Sequence, residues 1–217
     1  MNSFEKDELI RYSTSQSTDA PEYLKDLERK THLHTLAPQM LSGQLQGRLL
    51  SLISKLKSPQ RILEIGTFTG YSALCLAEGL ASDGMLDTIE IDSTYDHFID
   101  DIQQTIPLSR QILFHKGNAL DIIPTLPYQW DLVFIDGAKK DYLNYLKIVE
   151  NEMRSGSILI SDNILWYGKV LSSVKDRETQ VLHDYNTYLA SSPDWMNLIL
   201  PIRDGISISI RTKINIY

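Results

Sequence analysis

The sequence predicts a doubly wound α/β fold whose mostly parallel sheet finishes in an antiparallel hairpin. Three observations predict it. Short apolar runs alternate with helical stretches five times between Arg61 and Ala190. The first of these runs ends in a turn bracketed by Gly66 and Gly70. Near the C-terminus, Met196–Leu200 and Ile206–Arg211 are separated only by the turn residues Pro201 to Gly205. Strands alternating with helices argue for parallel pairing with helices on both faces, and right-handed crossovers fix the winding.

Taken in order, residues 3–56 carry helical patterns. They close on a stretch in which Leu45, Leu49, Leu50 and Ile53 fall at helical spacing. After Pro59 the predicted strand–helix units are Arg61–Ile65 with Tyr71–Leu80, Met85–Ile91 with Tyr95–Thr105, and Gln111–His115 with Asn118–Leu126. Asp131–Ile135 with Tyr142–Glu150, and Ser157–Ser161 with Lys175–Ala190, complete the five. In the last strand Ile206, Ile208 and Ile210 alternate with Ser207, Ser209 and Arg211, the period of a half-buried strand. A plain dinucleotide-binding fold has no need of such a hairpin.

The bulk properties narrow the function. A chain of 217 residues fits one domain, 1–217, with N-terminal helices over 1–56 and an α/β core over 60–217. With 42% hydrophobic and 23% charged residues it is an ordinary globular composition. The N-terminus shows no secretory pattern, and no apolar run approaches the length of a bilayer span. Cys75 is the single cysteine, which excludes an internal disulfide and a multi-cysteine zinc site and suits a reducing, cytoplasmic compartment. A net charge of -7 argues against a phosphate backbone as partner.

Leu63-Glu64-Ile65-Gly66-Thr67-Phe68-Thr69-Gly70-Tyr71-Ser72 is the most informative segment. Its glycines let the backbone turn sharply and approach a ligand closely, at the carboxyl end of a strand where open α/β sheets bind ligands. The spacing is G-x-x-x-G, not the G-x-G-x-x-G of dinucleotide binders. Glu64 would repel a pyrophosphate and welcome a cationic ligand. The plain alternative is an ordinary strand–helix turn. Glu90, at the end of the second strand, is placed to accept hydrogen bonds from a ribose diol, the alternative being a solvated carboxylate. Together the two turns favour an adenosyl cofactor.

These segments, with Phe134–Lys139, Ile160–Asn163, the run Asp162–Val170 and Asp204-Gly205, resemble the small cation-dependent O-methyltransferases. That family includes catechol and caffeoyl-CoA O-methyltransferases and many bacterial relatives; the match runs from about Ala37 to Arg211. The resemblance implies a seven-stranded Rossmann-like sheet of the class I methyltransferase kind, with S-adenosyl-L-methionine as cofactor. It further implies a divalent cation (magnesium, calcium or manganese), a small catechol-like or phenolic hydroxyl as acceptor, and a homodimer. A nicotinamide-dependent oxidoreductase is the alternative; the glycine spacing speaks against it.

Carried residue by residue, the resemblance places Met40, Ser42 and Ser72 at the methionine end of the cofactor. Glu64, Gly66, Thr67 and Phe68 fall at the first turn, and Glu90 and Ile91 at the ribose. Asn118 and Ala119 fall at the adenine, with Asp136 and Ala138 nearby. Asn118 stands where the family more often has aspartate. Core packing for Met40 and helix capping for the serines are the competing roles. Asp136, Asp162 and Asn163 are the implied metal ligands, and they suit a hard cation independently: three oxygen donors at the ends of adjacent parallel strands. Capping of turns is the competing role. Lys139, with Asp136 beside it, matches the family's catalytic lysine. Desolvation and a nearby cation favour its neutral form as general base, while Lys140 is solvated. Trp166 is either an acceptor wall or a packing residue. Cys75 reads as core. His32 and His34 read as solvated or capping, and Asp96, Asp100 and Asp101 as a helix surface.

Overall fold

The computed structural model describes residues 3–212; the ends of the expected 1–217 domain, residues 1–2 and 213–217, lie outside the described residues. Helices α1 (Ser3–Ser15), α2 (Glu22–His34) and α3 (Gly43–Lys57) precede the sheet. Strands β1 (Arg61–Ile65), β2 (Met85–Glu90), β3 (Ile112–Lys116), β4 (Trp130–Ile135) and β5 (Met153–Ser161) then alternate with helices. These are α4 (Tyr71–Ala77), α5 (Asp96–Thr105), α6 (Ala119–Ile122), α7 (Tyr142–Val149) and α8 (Arg177–Ser191). Strands β6 (Trp195–Leu200) and β7 (Ile206–Arg211) close the chain.

The sheet has seven strands in the order β3-β2-β1-β4-β5-β7-β6. The first five are parallel; β7 runs antiparallel to both β5 and β6. Both faces of the central strands are covered, so alternate residues of one strand enter different cores. Ile62, Leu86, Leu132, Phe134 and Ile160 pack with Leu24, Leu50, Leu74 and Ile102 from the α2–α5 layer. Leu63, Ile65, Val133, Ile135 and Leu159 pack with Tyr142, Leu146, Leu182 and Leu189 from α7 and α8. Winding reverses between β1 and β4, and the cleft at that reversal is where the sheet presents a ligand site. Among the described residues no helix is long and apolar enough to cross a membrane.

Several expected boundaries shift for identifiable reasons. The fifth strand starts at Met153, four residues before the expected Ser157. Met153 pairs with Trp130 across an irregularity in which Arg154, Ser155 and Gly156 are exposed, so the apolar run conceals the true start. The helix expected over Asn118–Leu126 is α6 followed by a 3-10 turn, Ile123–Thr125, that contains Pro124. Asp176 caps α8, accepting from the Thr179 amide at 2.8 Å, and sets its start at Arg177 rather than Lys175. The period-two pattern of β7 is present, yet the better-covered face is the polar one: Ser207, Ser209 and Arg211 are buried while Ile210 is 38% exposed. Helix α8 covers that polar face. Next to Ser207 in register, Ser161 on β5 bonds the Tyr185 hydroxyl at 2.5 Å, and the Arg211 guanidinium sits 4.8 Å from the Trp195 ring centroid.

Candidate functional site

A cleft of about 950 Å³ opens at the carboxyl ends of the strands where the winding reverses, a size suited to a cofactor with a small substrate. Its floor is the turn after β1. Gly66 has φ 102°, and a Cβ there would meet the Asp136 carbonyl oxygen at 2.5 Å, so only glycine lets β1 and β4 finish this close together. The Asp136 amide donates to the Ile65 carbonyl at 2.8 Å and the Asp162 amide to that of Ile135 at 3.0 Å. Three successive strand ends are thereby held in step.

Behind this turn lies a buried polar chain. The Thr88 hydroxyl donates to Glu64 Oε2 at 2.5 Å and lies 2.6 Å from the Thr67 hydroxyl. Glu64 is fully buried and its Oε1 has no hydrogen-bond partner among the described residues. Burial pushes its carboxyl up to about 8, against the opposing pull of the Ser72 and Thr88 hydroxyls. A buried carboxyl with one oxygen lacking a partner is suited to ionise beside a cationic neighbour. At the end of β2, Glu90 accepts from the Phe68 amide at 2.8 Å and from the Ile91 and Asp92 amides at 2.9 Å each. Its carboxylate is thus locked at the cleft edge, with one lone pair on Oε2 free for a hydroxyl donor. Asn118 caps α6, its Oδ1 accepting from the Leu120 amide at 3.1 Å, which leaves the Nδ2 donor pair free for a ligand.

On the other side of the reversal, Lys139 Nζ donates to Asp136 Oδ1 at 2.8 Å and to the Tyr142 hydroxyl at 3.0 Å. The Tyr142 hydroxyl in turn reaches the Asp162 carbonyl at 2.9 Å. Burial raises the Asp136 carboxyl to about 6; Lys139 opposes that shift and the Asp162 charge adds to it. Asp162 itself accepts from the Asn163 amide at Oδ1 and from Gln46 Nε2 at Oδ2, both at 2.7 Å. Two mutually repelling carboxylates and the Asn163 side-chain amide, all on one cleft, form an oxygen donor set that fits a hard divalent cation. Among the described residues no three His, Cys, Asp or Glu side chains cluster for a metal; the set reaches three only through the amide.

Gln39, Met40, Trp166, Tyr167, Arg203 and Asp204 also wall the cleft. Of the six non-glycine residues described with left-handed φ, five line the cleft: Phe68, Asn163, Trp166, Tyr167 and Arg203. Such backbone persists only where surrounding contacts enforce it, and it concentrates at functional sites. For Asn163, Trp166 and Tyr167 the β6–β7 turn enforces it. The Ile164 and Leu165 amides donate to the Gly205 and Asp204 carbonyls at 3.1 and 2.9 Å, and the Tyr167 amide to the Asp204 carboxylate. Burial raises the Asp204 carboxyl.

Of the residues singled out in the sequence, Met40, Gly66, Phe68, Glu90, Ile91, Asn118, Ala119, Asp136, Ala138, Lys139, Asp162 and Asn163 line the cleft. Ser42, Glu64, Thr67 and Ser72 are buried behind its wall. Lys139 is largely buried and Lys140 exposed. Cys75 is fully buried, His32 and His34 are exposed, and Asp96 and Asp101 pair with Lys116 and Lys30. Sequence reasoning missed Gln46, Arg203 and Tyr142. Gln46 had one signal: a polar residue at i with Leu50 and Ser54 at i+4 and i+8, on the buried face of α3.

Comparison with known proteins agrees with this geometry. The model of the O-methyltransferase family matches residues 14–212. A caffeoyl-CoA O-methyltransferase of Eucalyptus gunnii is 30% identical over 227 aligned positions, covering 98% of this chain and 90% of the relative. A second such enzyme, from Populus trichocarpa, is 29% identical, with 96% and 90% covered. Among solved structures, the O-methyltransferase TomG of Streptomyces achromogenes, involved in tomaymycin synthesis and solved with S-adenosylmethionine, superposes with a TM-score of 0.89. It is 28% identical, with 98% of this chain and 100% of that one covered. A Podospora anserina methyltransferase, 23% identical with a TM-score of 0.89 and 98% and 97% coverage, shares the fold.

Proposed function

The chain belongs to the O-methyltransferase family, and on that premise we propose that it methylates a hydroxyl of a small catechol-like or phenolic acceptor in a divalent-metal-dependent reaction. The observation that carries this reading is the arrangement of Asp136, Lys139, Asp162 and Asn163 on one cleft at the ends of β4 and β5. S-adenosylmethionine supplies the methyl group on its sulfonium. A divalent cation, with Asp136, Asp162 and Asn163 as its holders, would supply Lewis-acid polarisation of the acceptor oxygens. Family membership removes the basis for the nicotinamide alternative.

The chain's own residues do the rest. Glu90, fixed by three backbone amides, accepts from a ribose hydroxyl, and the close backbone at Gly66 lets the cofactor lie against the sheet edge. A cationic cofactor nearby would favour the ionised form of Glu64, whose burial alone favours the neutral one. Lys139 Nζ, steadied by Asp136 and Tyr142, takes the acceptor proton once it is itself neutral. Trp166 and Tyr167 exclude water and hold a flat acceptor in line, and in-line placement can contribute about 7–11 kcal/mol to such a transfer. In the same reading the chain is one methyltransferase domain that works as a homodimer, for which the exposed Met196, Leu198 and Ile210 on one face of the β6–β7 hairpin give support.

The test is turnover of catechol and caffeoyl-type acceptors by wild type, Asp162→Ala and Lys139→Met with saturating metal. Both variants are expected to lose turnover by two or more orders of magnitude while S-adenosylmethionine binding to Lys139→Met persists. Near-normal turnover of Asp162→Ala would defeat the metal assignment.

A further inference from the structure

Gln39, Leu41 and Ser42 lie between α2 and α3, and their three carbonyls converge on one guanidinium from 161 to 164 residues further along the chain. Arg203 Nη1 donates to the Leu41 carbonyl at 2.5 Å and to that of Ser42, and Nη2 donates to that of Gln39 at 3.0 Å. Three carbonyls in one small arc suit a planar cation with forked donors; an ammonium on a flexible stem cannot meet them all with the same geometry. The backbone of Arg203 is left-handed, at φ 51°, a conformation a long side chain adopts only under constraint. The next two residues, Asp204 and Gly205, hold the amides of Ile164, Leu165 and Tyr167. One turn thus ties together the segment that carries Met40 and the loop that carries Trp166 and Tyr167, both of which line the cleft.

We propose that Arg203 is a positioning residue for the methyl donor: by gathering the Gln39, Leu41 and Ser42 carbonyls it fixes the Met40 wall against which the methionine end of S-adenosylmethionine lies. The inference rests on the cofactor reading given above and concerns a residue that touches this wall through backbone alone. Without the guanidinium the three carbonyls turn to water, the 39–42 segment gains freedom, and the cofactor must order it on binding. The effect falls on donor affinity and leaves the acceptor chemistry in place.

Calorimetric titration of S-adenosylmethionine into wild type, Arg203→Ala, Arg203→Lys and Arg203→Gly tests this, together with steady-state kinetics for donor and acceptor. Wild type should bind. Arg203→Ala should bind about tenfold more weakly, the equivalent of about 1.4 kcal/mol, with the donor KM raised by a similar factor and kcat and acceptor KM within about threefold. Lysine should restore part of the loss. Glycine, which frees the left-handed backbone but has no guanidinium, should bind as weakly as alanine. Millimolar guanidinium, well below denaturing levels, should recover donor affinity in Arg203→Ala, which a merely stabilising contact would not. Donor affinity within twofold of wild type in a folded Arg203→Ala chain overturns the proposal, as does a loss confined to kcat. Should the alanine chain fail to fold, full-strength binding by Arg203→Lys overturns it equally. Failure of wild type itself to bind S-adenosylmethionine would instead strike the underlying cofactor reading.

Discussion

Substituting Gly66 by alanine isolates the closeness of β1 to β4 from every other feature of the site. The new Cβ meets the Asp136 carbonyl oxygen at 2.5 Å, its carbonyl carbon at 2.9 Å and the Gly137 nitrogen at 3.3 Å. All three are backbone atoms, so no side chain can swing aside to relieve the contact. At φ 102° an L-residue also pays a conformational cost of roughly 1–3 kcal/mol. Forcing extra volume into packed structure costs a further 1–3 kcal/mol or so, which together makes a loss of roughly 2–6 kcal/mol. For a chain of this size each kcal/mol moves the melting temperature by about 2–4 °C, so scanning calorimetry should find Gly66→Ala melting roughly 4–24 °C lower. Relief by backbone movement would displace Asp136, whose amide is bonded to Ile65 at 2.8 Å. Calorimetric titration should therefore also find S-adenosylmethionine binding weakened by at least tenfold in the folded fraction. A variant that melts within about 2 °C of wild type and binds the cofactor within twofold would refute this account of the turn.

Two further expectations follow from buried groups. Folding raises the Glu64 carboxyl from 4.5 to about 8, so the folded chain holds that proton more tightly than the unfolded one. The resulting stability is fully present below about pH 4.5 and is lost as pH rises towards about 8. Glu64→Gln should abolish this decline, seen as a flatter plot of unfolding free energy against pH in urea titrations; an unchanged slope would show that Glu64 is not its source. Gln46→Leu leaves Asp162 Oδ2 without its 2.7 Å donor, a loss of roughly 1–3 kcal/mol that is partly offset because the unpartnered Gln46 Oε1 also disappears. Urea unfolding should show the net destabilisation and manganese titration a weaker site, whereas unaltered metal affinity would mean that Gln46 does not orient Asp162.

The elements that position the cleft were legible because their signals are local. Strands β1 and β4 are buried on both faces and therefore read as short runs rich in apolar residues, Arg61–Ile65 and Asp131–Ile135. The glycines at 66 and 70 announce a turn that other residues cannot make. What escaped has no local signature. Gln46 meets Asp162 across 116 residues and Arg203 meets Leu41 across 162, and neither separation leaves a trace in spacing. The covered polar face of β7 was concealed for a related reason: alternation reveals two faces, but only the docking of α8 decides which one is better buried. Ser161 with Tyr185, and Arg211 with Trp195, make a polar layer there that burial rules for single residues do not anticipate. Left-handed Trp166 and Tyr167 were equally invisible, since bulky residues rarely adopt that conformation without contacts made elsewhere in the fold.

The most direct test of the proposed chemistry is a crystal grown with S-adenosylmethionine and manganese, examined by anomalous scattering at the manganese edge. A single peak within about 2.0–2.6 Å of oxygens from Asp136, Asp162 and Asn163, facing the sulfonium methyl, is the predicted result. A map with cofactor in the cleft and no peak shared by those three side chains would contradict it.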